Sequence, residues 1–198
     1  MSNVSIIGAH NTKFGAFAKK NKETKEITDQ KSYYELLNEA AQGAIENAGL
    51  TADDIDAVWV GSCSPGLFIG QDHIGPLAVE AAPEGLRLKP TTRTEGACAS
   101  SSLAIYDALY SIEAGRNKTV LVIGVEKMSL LNTKGVTYAL GCSSYAPEES
   151  SQGMTFPGLF AEYAKGYAKH YNLSDEYMKK ILAAPAAQMY SNGIKNPL

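Results

Sequence analysis

The sequence is poor in the residues from which disulfide frameworks and metal centres are built. Its 198 residues include three cysteines and three histidines. Cys63, Cys98 and Cys142 are odd in number, lie far apart and form no CxxC pair, so the sequence predicts neither a disulfide framework nor a zinc ribbon. We expect no metal site, and we expect at least one of the cysteines to have a reactive, functional thiol.

The sequence also lacks long apolar runs and a strong net charge. No run reaches the roughly 18 to 20 residues that a membrane span needs, and residues 1–14 lack the features of a signal peptide. The formal net charge of −3 gives no general attraction to nucleic acid or to an anionic membrane. We therefore expect a cytoplasmic protein that has neither nucleic acid nor a membrane as its partner.

What the sequence does contain is an alternation of short apolar strands and helices rich in small residues. Strands are predicted at residues 4–10, 57–61, 90–94 and 119–125. Helices are predicted from the Ser32 and Glu35 capping box to Gly49, and over residues 72–82 and 99–114. This alternation is typical of βαβ units, so the expected fold class is α/β. We predict a mainly parallel sheet between helices, with the 119–125 strand at its centre.

The pattern changes twice along the chain. Residues 11–30 are polar with mixed charges and are interpreted as a solvated loop. Residues 131–153 are mixed and show no clear strand, and two helices are predicted after them, at 156–171 and 174–190. Pro185 is expected to kink the second of these helices or to end it early. The predicted domains are a core at residues 1–130 and a helical excursion at 131–198.

The most informative segment is residues 94–103, where a strand passes through a glycine turn into a helix headed by Cys98. The N–H groups and the dipole of a helix N-terminus favour thiolate over thiol. Gly96 and its alanine neighbours leave the sulfur uncovered, so an acyl group could approach it and nearby amides could hold an oxyanion. On spacing alone, a buried structural cysteine is an equally good interpretation. Glu95 fits a structural role better than a catalytic one, and Glu126 fits both.

The other cysteines and the histidines are weaker candidates. Cys63 and Cys142 lack a helix-start context and are interpreted as small buried or turn residues. His10 follows the first strand, His73 lies in a loop and His170 lies on a predicted helix. None of the histidines has an adjacent partner pattern, so a structural or surface role is favoured over acid–base catalysis for each.

The segment Glu95-Gly-Ala-Cys-Ala-Ser-Ser-Ser-Leu-Ala-Ile105 resembles the active-site segment of thiolases. The similarity is to the sterol-carrier-protein type and to the related bacterial and archaeal acetyl-CoA acetyltransferases. It extends over nearly the whole chain and includes residues 6–14, 32–49, 70–73, 122–128, 154–160 and 192–197.

This resemblance implies a layered thiolase fold in which residues 131–198 form the excursion called the loop domain. It implies that Cys98 carries an acyl group taken from acyl-CoA, in carbon–carbon condensation or in thiolytic cleavage of a 3-ketoacyl-CoA. Coenzyme A would be a substrate, and no separate cofactor is expected. Thiolases are longer chains whose catalytic histidines and second cysteine lie in a C-terminal half. We expect that half to be absent here, and a homo-oligomer or a complementary half-subunit to complete the protein.

Two other functions remain open at this point. The first is a non-catalytic thiolase-like scaffold or partner subunit, against which the intact cysteine segment argues. The second is a ketosynthase that acts on acyl-carrier protein, which is disfavoured because Gly96-Ala-Cys98-Ala-Ser-Ser is similar to thiolases.

Overall fold

A computed structural model of the chain describes residues 4–198. The chain divides into two compact units, one ending at Asn132 and the other beginning at Thr133. The strands of the first unit are β1 (Ala18–Lys20), β2 (Ile27–Asp29), β3 (Ala57–Gly61), β4 (Thr91–Thr94) and β5 (Val120–Gly124). Its helices are α1 (Tyr33–Asn47), α2 (Pro65–Ile69), α3 (Pro83–Leu86) and α4 (Ser100–Glu113). Short 3₁₀ helices lie at Ala52–Asp54, Gly75–Ala81 and Ala97–Ala99.

Strands β3, β4 and β5 form a parallel sheet in the order β4-β3-β5. The central strand is β3, whose Val58 lies opposite Thr91 of β4 and Leu121 of β5. Because the strands run in the same direction, their carboxyl ends meet at one edge of the sheet. The predicted α/β class with a mainly parallel sheet is confirmed, and the segments that follow these strands are brought together.

Helices α1 and α4 cover opposite faces of this sheet. Side chains alternate along a strand, so Val58 and Val60 point to the face where Leu37 of α1 joins them in the core. Gly61 points to the other face, where it meets the first turn of α4. The largest fully buried side chains include Tyr33, Leu37, Val58, Val60, Ile74 and Leu86. Burial of each large aliphatic side chain contributes about 1.5 to 3 kcal/mol, so the α1 face supplies most of the stabilising apolar contact.

The ends of α1 are set by local sequence. Ser32 Oγ accepts the N–H of Glu35 at 3.1 Å, and the Glu35 carboxylate accepts the N–H of Ser32 at 2.6 Å. At the other end Gly49 has a φ of +67°, the left-handed conformation that stops a helix. The predicted start and stop of this helix are therefore confirmed.

A buried lysine ties the β1–β2 hairpin to the end of β5. Lys127 Nζ donates to the Asp29 carboxylate at 2.7 Å, to the Phe17 carbonyl at 3.2 Å and to the Lys31 carbonyl. The Lys127 side chain is 2% exposed. An ammonium group has three N–H donors, and each finds an acceptor here, which compensates for removing the charge from water.

The second unit is helical. Its helices are α5 (Thr133–Gly141), α6 (Phe156–His170) and α7 (Asp175–Lys195), with a 3₁₀ helix at Ser150–Gln152. The helices predicted at 156–171 and 174–190 are confirmed, and Ser174 caps α7 by accepting the N–H of Tyr177 at 3.2 Å. In residues 4–198 no helix combines the length and apolar character that a membrane span requires. The domain division at residues 130 and 131 stays a prediction.

Several predictions for the first unit are wrong because they depend on pairing partners far away in sequence. Residues 4–10 are not a strand, and Ile6 in this segment is 83% exposed. The sheet of β3, β4 and β5 forms without this segment, which pairs with neither of the two outer strands. The 119–125 strand forms, but it lies at an edge instead of the centre. Residues 11–30 contain the antiparallel β1–β2 hairpin in place of an irregular loop.

Helix predictions also need correction. The helix predicted at 72–82 is the 3₁₀ helix Gly75–Ala81, which has a proline in its first turn. Residues 131–153, in which no strand is predicted, contain the helix α5, which their mixed composition conceals. Pro185 does not end α7, which continues to Lys195. Proline removes one backbone N–H, and the turns on either side of it provide the remaining hydrogen bonds.

Replacing Lys127 with methionine should destabilise the first unit. Methionine fills similar volume but removes the buried ammonium donor from the Asp29 carboxylate and from two carbonyls. We expect the free energy of unfolding to fall by about 2 to 4 kcal/mol. Urea unfolding followed by the fluorescence of Trp59, the single tryptophan, measures the loss. The matched variant Lys118→Met changes an exposed lysine and should be near neutral; equal losses would contradict the anchoring role.

Candidate active site

Cys98 lies in the loop that connects the end of β4 to the start of α4. It sits in the 3₁₀ turn Ala97–Ala99, and α4 begins directly after this turn, at Ser100. The predicted strand–turn–helix arrangement is therefore present, with the helix starting one residue later than predicted. The Cys98 side chain is exposed, which disagrees with the interpretation of a buried structural cysteine.

The loop around Cys98 is closed by its own polar side chains. The Glu95 carboxylate accepts the N–H of Ala97 at 2.6 Å, the structural contact expected of this residue. Buried Ser100 accepts the N–H of Gly96 at 3.0 Å and donates to the Ala97 carbonyl at 2.6 Å. Ala97 has a φ of +50°, a left-handed conformation that these hydrogen bonds maintain.

The backbone N–H of Cys98 is available to a ligand. The N–H groups of Gly96, Ala97 and Ala99 each have an acceptor within the loop. Within the part of the chain that the structure describes, the N–H of Cys98 has none. A carbonyl group positioned at the sulfur could therefore receive a hydrogen bond from this N–H as negative charge develops on its oxygen.

Two glycines at strand ends allow α4 to approach the sheet closely. A methyl group at Gly61, the last residue of β3, would lie 2.6 Å from Ser101 Cα. A methyl group at Gly124, the last residue of β5, would collide with the Ser101 side chain. Side chains larger than hydrogen at these positions would push the first turn of α4 outward. The position of Cys98 relative to the sheet thus depends on both glycines.

A polar network that sequence reasoning missed lies at the same edge of the sheet. The Glu126 carboxylate accepts the N–H of Cys63 at 2.6 Å and the hydroxyl of Ser62 at 3.3 Å. Arg93 donates through Nε to the Ser62 carbonyl at 3.2 Å and also donates to the Cys63 carbonyl. Tyr33 of α1 donates to Ser62 Oγ at 3.1 Å. The one sequence signal for this network was a carboxylate directly after a buried strand.

Burial changes the ionisation of two groups in the network. It raises the pKa of Glu126 above its ordinary value of 4.5, against the hydrogen bonds from Cys63, Ser64 and Ser62 and the nearby Arg93, which lower it. Burial also raises the pKa of the Tyr33 hydroxyl, while its hydrogen bond to Ser62 lowers it. Burial thus shifts the pKa of both groups upward, although Glu126 keeps the hydrogen bonds and the cationic neighbour that favour its charged form.

The other cysteines and two of the histidines belong to other segments of the chain. Cys63 belongs to the network, and Cys142 is exposed in the turn after α5. His10 packs beside Gly43 of α1, and His73 is exposed in the loop after α2.

His170 lies at the end of α6 and contacts the ring of Tyr171. Across residues 4–198 no imidazole takes part in a hydrogen bond, so none is held as a base by a partner. In the same residues, no three His, Cys, Asp or Glu side chains are grouped as metal ligands would be.

The first unit is thus an α/β fold with an exposed cysteine at the junction of a strand and a helix. The family model for the thiolase N-terminal domain matches residues 4–197, and the chain belongs to this family. It is 39% identical over 196 residues to the acetyl-CoA acetyltransferase of Methanocaldococcus jannaschii. This alignment covers 99% of this chain and 45% of the relative. It is also 36% identical over 197 residues to the acetyl-CoA acetyltransferase of Methanothermobacter thermautotrophicus. That alignment covers 100% of this chain and 46% of the relative.

A solved structure has the same fold over much of the chain. The acetyl-CoA acetyltransferase of Syntrophomonas wolfei aligns with a TM-score of 0.50 at 22% identity, over 71% of this chain and 37% of that one. The chain spans about half the length of the curated relatives that it matches.

Replacing Gly61 with alanine should destabilise the first unit, because the added methyl group meets the backbone of Ser101. We expect the free energy of unfolding to fall by about 1 to 3 kcal/mol, as in other overpacked sites. Urea unfolding followed by far-ultraviolet circular dichroism measures the change. Gly166→Ala, inside α6 where nothing lies within 4 Å, serves as the comparison and should not destabilise, because alanine favours a helix over glycine. A Gly61 variant as stable as the native chain would show that α4 does not rest on this strand end.

Glu126 should make stability fall as pH rises above the ordinary carboxyl pKa of 4.5. Between that value and the higher pKa of the folded state, the unfolded chain has lost the Glu126 proton while the folded chain retains it. The folded state then binds more protons, so the free energy of unfolding decreases with pH through this interval.

The variant Glu126→Gln isolates this contribution because glutamine cannot ionise. We expect the native chain to lose stability relative to the variant across the interval and to run parallel with it at higher pH. Urea unfolding at a series of pH values measures the difference, with exposed Glu113→Gln as the control. A native chain that gains stability relative to Glu126→Gln would contradict the raised pKa.

Proposed function

We propose that this chain is the cysteine-bearing half of a thiolase-type acyltransferase in which Cys98 carries the acyl group. The observation that supports this most directly is the exposed sulfur beside a backbone N–H that has no acceptor among the described residues. The relatives named acetyl-CoA acetyltransferase support acyl-CoA as the substrate class.

In the first step, the Cys98 thiolate attacks the thioester carbonyl of an acyl-CoA. The carbonyl oxygen becomes negatively charged, and the N–H of Cys98 can donate to it. The bond between the carbonyl carbon and the sulfur of coenzyme A then breaks, and coenzyme A leaves as a thiol after taking up a proton. The product is an acyl thioester on Cys98, which divides a difficult transfer into two easier ones.

In the second step, the acyl group leaves Cys98 for a new acceptor. In condensation the acceptor is the α-carbon of a second acyl-CoA, which must lose a proton to a base; in thiolysis it is the thiol of coenzyme A. No histidine side chain of residues 4–198 has a hydrogen-bond partner that would orient it as this base. We propose that the acid–base groups come from the part of a thiolase that the relatives have beyond the matched region.

The outer face of α4 is the surface that such a complementary half would cover. Leu103, Tyr106 and Tyr110 lie on one side of the helix and are 40%, 52% and 60% exposed, and the two tyrosine rings stack 6.3 Å apart. This face begins beside the Cys98 loop, because Leu103 packs against Gly96. A partner bound there would bury apolar surface and deliver its own side chains close to the sulfur.

Incubation with acetyl-CoA tests the proposal. We expect intact-protein mass spectrometry to find one acetyl group per chain, mapped to Cys98. The adduct should disappear in Cys98→Ala and persist in Cys142→Ala, which removes the other exposed thiol. If no adduct forms on the folded chain, either alone or after addition of a complementary thiolase half, the chain is a non-catalytic thiolase-like subunit and the proposal is wrong.

A further inference from the structure

Glu126 is a half-buried carboxyl group for which the proposed acyl transfer has no use. It is the second residue after β5 and is half-buried, at the sheet edge where Cys98 lies. It accepts hydrogen bonds from the backbone of Cys63 and from the Ser62 side chain. The neighbouring Lys127 points away toward the β1–β2 hairpin and is satisfied there. Glu126 thus acts on the loop that follows β3.

This loop is held from two sides by groups of opposite charge. Glu126 binds its N–H and hydroxyl donors, while Arg93 of β4 binds the carbonyls of Ser62 and Cys63. From the α1 side, the Tyr33 hydroxyl donates to Ser62 Oγ. A segment whose donors and acceptors are both occupied by partly buried side chains has little freedom to move.

The loop connects directly to the segment that carries Cys98. Ser62 donates its N–H to the carbonyl of Thr94, the last residue of β4, at 3.2 Å. Thr94 in turn donates its hydroxyl to Asp107 of α4 at 3.1 Å. On the other side of β3, Val125 donates its N–H to the Gly61 carbonyl at 3.1 Å. This hydrogen bond links the ends of β3 and β5, where Gly61 and Gly124 leave room for Ser101.

We propose that Glu126 is a positioning residue for Cys98. Its carboxyl group fixes the loop after β3, and this loop fixes both the end of β4 and the first turn of α4, between which Cys98 lies. The inference rests on the proposed function in so far as Cys98 is the acyl carrier. The mechanical coupling from Glu126 to the Cys98 loop can be measured without any acyl transfer.

Hydrogen–deuterium exchange of the full chain measures this coupling. In Glu126→Ala we expect amide exchange to rise about tenfold or more in peptides covering residues 61–64 and 95–103, with little change in α1. Glu126→Gln should restore most of the protection, because its amide oxygen can still accept the N–H of Cys63. The control Glu113→Ala, at the exposed end of α4, should leave exchange in both segments unchanged.

Two results would overturn the inference. One is a rise confined to residues 61–64, since the loop would then move without the Cys98 segment. The other is a uniform rise across the first unit that glutamine does not rescue, since Glu126 would then act on global stability alone.

Where acetyl-CoA labels the native chain, the labelling rate of Glu126→Ala should fall at least fivefold, while iodoacetamide still reacts with the exposed Cys98 at an unchanged rate. Absence of acetylation in the native chain counts against the proposed function and leaves the exchange result to decide the role of Glu126.

Discussion

The structure depends on a close approach between α4 and the carboxyl ends of β3 and β5. This approach is possible because Gly61 and Gly124 have no side chains where the backbone and hydroxyl of Ser101 arrive. Apolar packing alone does not specify this distance, since it is non-directional and tolerates shifts. A pair of glycines does specify it, because any larger residue excludes the helix. The loop that carries Cys98 is the connection between a strand and a helix held in this way, so its position follows from the glycines.

Polar side chains at this edge of the sheet hold its backbone in place, in addition to the two glycines. Parallel strands end together and leave backbone groups that no further strand pairing satisfies. Here Glu126 and Arg93 supply partners for the backbone of Ser62 and Cys63, and Ser100 and Glu95 do the same within the cysteine loop. The result is an edge whose backbone is held by hydrogen bonds, while the thiol of Cys98 is exposed and its N–H has no acceptor among residues 4–198. Such a combination of rigidity and access is what covalent catalysis by a side chain requires.

Local signals in the sequence predict much of this fold. The capping box at Ser32, the stops at Gly49 and Gly115 and the apolar runs of β3 and β5 each depend on neighbouring residues, and the structure contains them all. Strand order and the fate of residues 4–10 depend on which edges are free, which no local pattern encodes.

The same distinction applies to the candidate site. Cys98 could be found because its loop is continuous in sequence. The Glu126 network could not be assembled, because its hydrogen bonds join residues 29 to 64 positions apart. An isolated carboxylate after a strand is compatible with many roles, and only the contacts select one.

Lys127 has a consequence for the order in which the chain folds. Its hydrogen bonds to the hairpin span 96 to 110 residues, so they close loops that include nearly the whole first unit. Closing a long loop costs entropy before any contact compensates for it, which slows the formation of such contacts. The hairpin of β1 and β2 is therefore among the last elements to be secured, although it is among the first to be synthesised. During translation, the hairpin stays without this anchor until residue 127 has left the ribosome.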